Sequence, residues 1–61
     1  MKVRDAIKRI EADGWRLIRT RGSHRQYHHP GKRGTVPVAG HPAADLDPKS
    51  QRSILKQAGL K

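Results

Sequence analysis

Four histidines, His24, His28, His29 and His41, are the side chains of this chain best suited to chemistry near neutral pH. Imidazole is the one ordinary side chain whose unperturbed titration falls there. Three of the four lie in the run His24-Arg25-Gln26-Tyr27-His28-His29, which is open to two kinds of site: a metal centre, or a proton-transfer group working beside cations. If the run is extended, positions 24 and 28 stand about 13 Å apart, too far to ligate one ion. A helix would bring them together, but nothing else in the run reads as helical. With no cysteine to supply thiolates, neither a metal nor a cofactor is expected. A proton carrier suits cleavage of an RNA phosphodiester, where a 2′-hydroxyl loses a proton and a leaving 5′-oxygen gains one. The charge that develops on phosphate then needs cationic help. Arg21, Arg25, Lys32 and Arg33 surround His24 in sequence, and their spacing does not say which would reach a phosphate. Ser23 could orient a substrate, although a serine beside a glycine more often bonds the backbone of its own turn. Taken by itself, His24 reads more simply as a polar residue opening a strand.

The elements that must position these residues follow from periodicity. Val3, Ala6, Ile7 and Ile10 form one helical stripe, predicting a helix over residues 2–13 that stops at Gly14. From Trp15 to Thr20 the pattern shortens to a strand with Trp15, Leu17 and Arg19 on one face, though Ile18 breaks the alternation. Gly22-Ser23 marks a turn, so residues 24–29 return as a second strand. There His24, Gln26 and His28 share one face, and Arg25, Tyr27 and His29 the other. Tyr27 is the apolar anchor, which leaves His24 on the open side. His28 is then a candidate phosphate contact, while His29 belongs to the turn before Pro30.

Residues 30–34 read as a second loop and residues 35–39 as an edge strand, because Pro37 cannot donate to a ladder. Asp47-Pro48 gives an N-cap followed by proline at the first helical position, opening a helix to about Ala58 with Gly59 as its stop. Lys49, Arg52 and Lys56 form a basic stripe along it. The expected fold is therefore α+β, in the order α-β-β-β-α: a three-stranded antiparallel sheet with two helices on one face, a single domain over residues 1–61. Its expected core is Val3, Ile7, Ile10, Trp15, Leu17, Tyr27, Val36, Ile54 and Leu55.

Charge narrows the partners. Fourteen lysines and arginines stand against five acidic residues, a formal charge of +9 on 61 residues. Self-repulsion on that scale destabilises a compact chain, and a polyanionic partner is its natural explanation. Nucleic acid comes first and an acidic protein second. A membrane surface is disfavoured, since the helical faces are narrow and lack tryptophan and phenylalanine. There is no leader-like apolar run at the start and no stretch of about 18 apolar residues, so a soluble cytoplasmic protein is expected.

The element order is that of double-stranded-RNA-binding domains, which says little about activity. Specific residues say more: Asp13-Gly14-Trp15-Arg16-Leu17, then Gly22-Ser23-His24-Arg25-Gln26-Tyr27, His29-Pro30, Thr35-Val36-Pro37, Val38-Ala39-Gly40-His41-Pro42 and Ser53-Ile54-Leu55-Lys56-Gln57-Ala58-Gly59-Leu60. Across nearly the whole chain this series resembles the HicA family of bacterial toxins. The Gly-Ser-His triplet after a Gly-Trp strand is its most specific part. One departure is Lys49-Ser50 after Pro48, where the family usually places glycine and threonine. The resemblance implies a double-stranded-RNA-binding-like fold, cleavage of mRNA with His24 as the catalytic residue, and a HicB-type antitoxin that occludes the toxin. Candidate RNA contacts are Arg21, Ser23, Arg25, His28, Lys32, Arg33, Lys49, Arg52 and Lys56. The alternative is a non-catalytic RNA-binding module, for which fold and charge suffice. A DNA-binding accessory protein lacks support, because no helix-turn-helix pattern is present.

RNA affinity should fall steeply with salt. Contact with about six phosphates implies a log–log slope near −4 on a single strand. A titration from low to high salt reads this directly, and a flat response would assign the +9 charge to another partner.

Overall fold

A computed structural model describes residues 1–60. Helix α1 spans Val3–Ala12, strand β1 Arg16–Arg21, β2 His24–His29, β3 Lys32–Ala39 and helix α2 Pro48–Gln57. The strands form one antiparallel sheet in the order β1-β2-β3, and the fold is the α-β-β-β-α, double-stranded-RNA-binding-like one. Both helices pack against β3 and against each other. Among the described residues, no helix is long and apolar enough to cross a membrane.

The core is a single cluster of Val3, Ala6 and Ile10 from α1, Trp15, Tyr27 from β2, Val36 and Val38 from β3, and Ile54 and Ala58 from the α2 side. Ile7, Leu46 and Leu60 pack around it, half-buried. Leu17, expected in the core, is 49 % exposed. The reason is that β1 is an outer strand, while the helices pack on β3 at the opposite edge. Val38, absent from the expected core, is fully buried two residues from Val36, as strand alternation requires. Pro37 points out between them from an edge strand, the place a sheet tolerates proline.

Strand β3 begins at Lys32, three residues earlier than expected. The turn is only Pro30-Gly31, with His29 paired to Lys32. The register then shifts, so that His28 pairs with Thr35. Gly34, at φ 78°, lies in this irregular stretch and takes a backbone conformation other residues resist.

The two helices end alike. Trp15 N–H donates to Ile10 O (3.1 Å), and Leu60 N–H to Leu55 O (2.7 Å), in each case just beyond a glycine, Gly14 or Gly59, at positive φ. These bonds satisfy carbonyls that would otherwise be orphaned. Both C-termini converge on one ammonium. Lys32 Nζ lies 2.5 Å from Asp13 Oδ2 and 2.9 Å from Ala58 O, and Asp13 and Ala58 are the C-cap residues of α1 and α2. The Trp15 indole N–H donates to the same Ala58 carbonyl at 3.2 Å. His29 completes the joint: Nε2 donates to Asp13 O at 2.7 Å, and Nδ1 accepts from Gly31 N–H at 2.9 Å. A neutral imidazole with its proton on Nε2 satisfies both. Its ring meets Trp15 edge-on, with centroids 5.4 Å apart.

At the other end, Val3 N–H and Arg4 N–H, two of the unpaired donors of the first turn of α1, give to Ala44 O and Pro42 O at 2.9 and 3.0 Å. Lys2 Nζ pairs with Asp45 Oδ1 at 3.0 Å. The stretch between β3 and α2, irregular by sequence, is thereby tied to the start of the chain. Asp47 then caps α2, its carboxylate accepting from Ser50 N–H at 3.2 Å.

Two outcomes test this joint. A Cβ on Gly14 would lie 2.8 Å from His29 Nε2, at a φ of 111°. Gly14→Ala should therefore cost about 1–3 kcal/mol, lowering the melting temperature by roughly 5–15 °C for a chain of this size. Second, the Lys32 hydrogen bond, opposed in part by desolvation, holds the Asp13 carboxyl below its ordinary range. A depressed carboxyl contributes stability above its unfolded pKa of about 3.9 that is lost as pH falls towards the folded value. Melting temperature measured below about pH 4 should drop less steeply in Lys32→Met than in the wild type.

Candidate nucleic-acid interface on the open face of the sheet

The sheet has one face under the helices and one without a covering element. Tyr27, 2 % exposed, fixes which face is which. From it, strand alternation sets His24, Gln26 and His28 on the open side. Across β3 their partners are Ala39, Pro37 and Thr35, and across β1 they are Arg21, Arg19 and Arg16. His24 opens β2 directly after the Gly22-Ser23 turn. Its side chain is exposed and, among the described residues, makes no hydrogen bond.

The β1 side of this face depends on a bulge. Leu17 pairs with Tyr27 and Arg19 with Gln26, adjacent residues of β2, so Ile18 is the extra residue. A bulge lets a strand re-aim the side chains beyond it. Leu17 keeps the Tyr27 face, while Arg19 and Arg21 turn to the face of His24. Unbroken alternation had put Arg19 with Leu17 and Trp15, and the bulge reverses that. Ile18, Arg19, Arg21, His24, Gln26 and Thr35 now line one shallow groove.

The residues singled out in the sequence are distributed unevenly about this groove. Arg21 is brought directly opposite His24. Ser23 lies exposed in the adjoining turn, and His28 is exposed further along the same face. Arg25, expected beside His24, is turned to the helix side, where Nη1 donates to Gly40 O at 2.9 Å. Lys32 lies away from the groove, held by Asp13 and Ala58. Arg33 is exposed in the irregular part of β3. Lys49, Arg52 and Lys56 are exposed on α2; Lys49 lines a groove with Pro37 and Ala39 at the β3 edge, and Arg52 and Lys56 another with Gly59 and Leu60. The candidates thus divide between the groove beside His24, the β3 edge and the end of α2. Arg19, Gln26 and Ile18 were not singled out, although the broken alternation at Leu17-Ile18 was the trace of the bulge that places them.

Charge is segregated in the same way. The five acidic residues, Asp5, Glu11, Asp13, Asp45 and Asp47, lie in α1, at its C-cap or in the segment leading into α2. None is in a strand. Three of them are further acidified: Lys32 beside Asp13, Lys2 beside Asp45, and Ser50 hydrogen-bonded to Asp47 lower their pKa values. Among the described residues no three histidine or carboxylate side chains converge as a metal site. His24 and His28 stand four residues apart on an extended strand, His29 is engaged with Asp13 and Gly31, and His41 Nδ1 accepts from Ala43 N–H at 3.0 Å. What the groove presents is an unengaged imidazole, exposed guanidinium groups and no carboxylate. That combination can accept an anion and exchange a proton with it.

Comparison with known proteins gives one positive result. No curated protein matches the chain. The sequence model of a family described as the HicA toxin of bacterial toxin–antitoxin systems matches residues 3–60. The match takes in every element of the fold and the Gly22-Ser23-His24 turn at the head of β2, and the chain belongs to the HicA family: it is a toxin of a toxin–antitoxin system.

Proposed function

We propose that this toxin is an endoribonuclease that cuts mRNA in the cytoplasm, using His24 as a general acid or base and requiring no metal or cofactor. Translation and growth stop until a HicB-type antitoxin binds and neutralises it. The observation that carries this reading is the exposed His24, free of protein partners, directly opposite Arg21 on a face without carboxylates. As a base, its imidazole takes the 2′-hydroxyl proton while the 2′-oxygen attacks phosphorus. As an acid, it returns a proton to the departing 5′-oxygen. Arg21 is positioned to stabilise charge on the phosphate oxygens. Ser23 in the turn before His24, His28 and Arg33 are additional exposed RNA contacts.

Arg25 and Lys32 serve indirectly in this scheme, one anchoring the end of β3 through Gly40 and the other joining the helix ends. A high positive charge attracts an acidic antitoxin as readily as RNA, and a partner laid over the groove would bury His24. A second reading is favoured by one observation. The stripe Lys49, Arg52 and Lys56 is exposed on α2, a different element from the one that carries His24, where a module that only binds RNA would keep its cations.

His24→Ala decides between them. Loss of a general acid or base typically slows a reaction about 100- to 10,000-fold. The variant should neither inhibit growth nor cut RNA in a gel assay, while binding RNA within a few fold of wild type and melting at nearly the same temperature, because exposed residues contribute little to stability. Cleavage by the wild type should persist in chelator. Cutting by His24→Ala at the wild-type rate would leave RNA binding as the function.

A further inference from the structure

We infer that the bulge of β1 builds the substrate subsite beside His24, with Arg19 and Arg21 holding consecutive phosphates of a single-stranded RNA and Ile18 seating one of its unstacked bases. The inference rests on the proposed ribonuclease reading and specifies which surface meets the substrate.

Three features of the groove point the same way. First, in a regular strand that paired Ile18 in the alternation, Arg19 and Arg21 would face the helix side, with Leu17. The bulge brings them into register with Gln26 and His24. Bulges next to functional sites commonly re-aim a side chain in this manner. Second, among the described residues neither arginine pairs with a carboxylate, and no strand contains one. A guanidinium left unpaired beside a candidate acid–base residue suits bidentate recognition of phosphate. Third, Ile18 is 56 % exposed and lies in the groove among these polar groups. An aliphatic side chain contributes nothing to phosphate binding, yet it offers an apolar surface to a base face, with Gln26 on the neighbouring strand to meet the base edge.

That last feature selects the form of the nucleic acid. In a duplex the bases are stacked and paired, and an isolated aliphatic side chain on a flat sheet cannot reach a base face. A single strand can turn one base onto Ile18 while its backbone runs along β1 past His24. On α2, Arg52 and Lys56 line a separate groove with Gly59 and Leu60, apart from the one that holds Ile18, Arg19, Arg21 and His24. These two therefore contribute no contact at the scissile phosphate.

Binding is measured in the full-length His24→Gln protein, so that the probe is not consumed. The probes are a short single-stranded RNA and an abasic ribose-phosphate chain of the same length. Arg19→Gln with Arg21→Gln should weaken RNA binding about 10- to 100-fold, and should lower the salt slope by about 1.4, the share of two phosphate contacts on a single strand. Arg52→Gln with Lys56→Gln should change affinity less than about threefold. Ile18→Ser should weaken RNA about 3- to 10-fold and leave the abasic chain unaffected. Each residue is exposed, and thermal melts establish that the variants fold; Arg19→Lys with Arg21→Lys, keeping the charge but not the fork, should recover only part of the affinity.

If the β1 variants bind as the parent does while the α2 pair loses affinity, the subsite is overturned although an RNA-binding protein remains. Equal losses by Ile18→Ser on both probes would overturn the base seat. If the parent binds no RNA, the ribonuclease reading falls and the subsite with it.

Discussion

Everything else in this small fold hangs on the Lys32 ammonium, where the ends of both helices meet. Helix C-termini carry partial negative charge, and a cation placed there typically contributes about 0.3–1 kcal/mol per end. Two such ends pointing at one another would repel. Lys32 lies between them, donating to the Asp13 carboxylate and the Ala58 carbonyl, and Trp15 closes the same carbonyl from the core side. Three segments far apart in sequence are thereby fixed relative to one another. A chain of this length has no disulfide and little core to spare, so a polar joint that ties both helices to the first residue of β3 supplements the shared apolar cluster in holding the helix layer.

From that layer follows the division of the sheet into two faces. The helices cover Tyr27, Val36 and Val38, and the opposite face is left to Arg16, Arg19, Arg21, His24, Gln26 and His28. Of the basic stripe of α2, Arg52 and Lys56 lie by Gly59 and Leu60, and Lys49 at the β3 edge. Charge alone therefore does not locate the site, because cations are spread over both surfaces. Position relative to the buried tyrosine separates the two faces instead, and the acids gathered around the helices sharpen the contrast.

How much of this was legible in the sequence differs by element. The helices were plain because an amphipathic stripe, a proline at the first helical position and a stop glycine are local signals, and the limits agree within two residues. The open orientation of His24 was legible through Tyr27, since alternation within one strand needs only a single anchored residue. Leu17 was misplaced because burial depends on whether a helix lies beneath a strand, and nothing local reports that. The roles of Arg25 and Lys32 were hidden for the same reason: their partners, Gly40, Asp13 and Ala58, are 15 to 26 positions away. The bulge was visible only as a blemish, two apolar residues in succession where alternation called for one.

The bulge also bears on solubility. A three-stranded open sheet has two bare edges, and an unpaired strand edge is a template for joining another chain into a growing stack. Here β3 carries Pro37, which withholds a donor from any newcomer. Strand β1 carries Arg16, Arg19 and Arg21 along a line that Ile18 bends. A bent strand laden with like charge offers poor register to a second copy of itself. The distortion that turns the arginines towards His24 thus also makes this edge a poor template for a second strand.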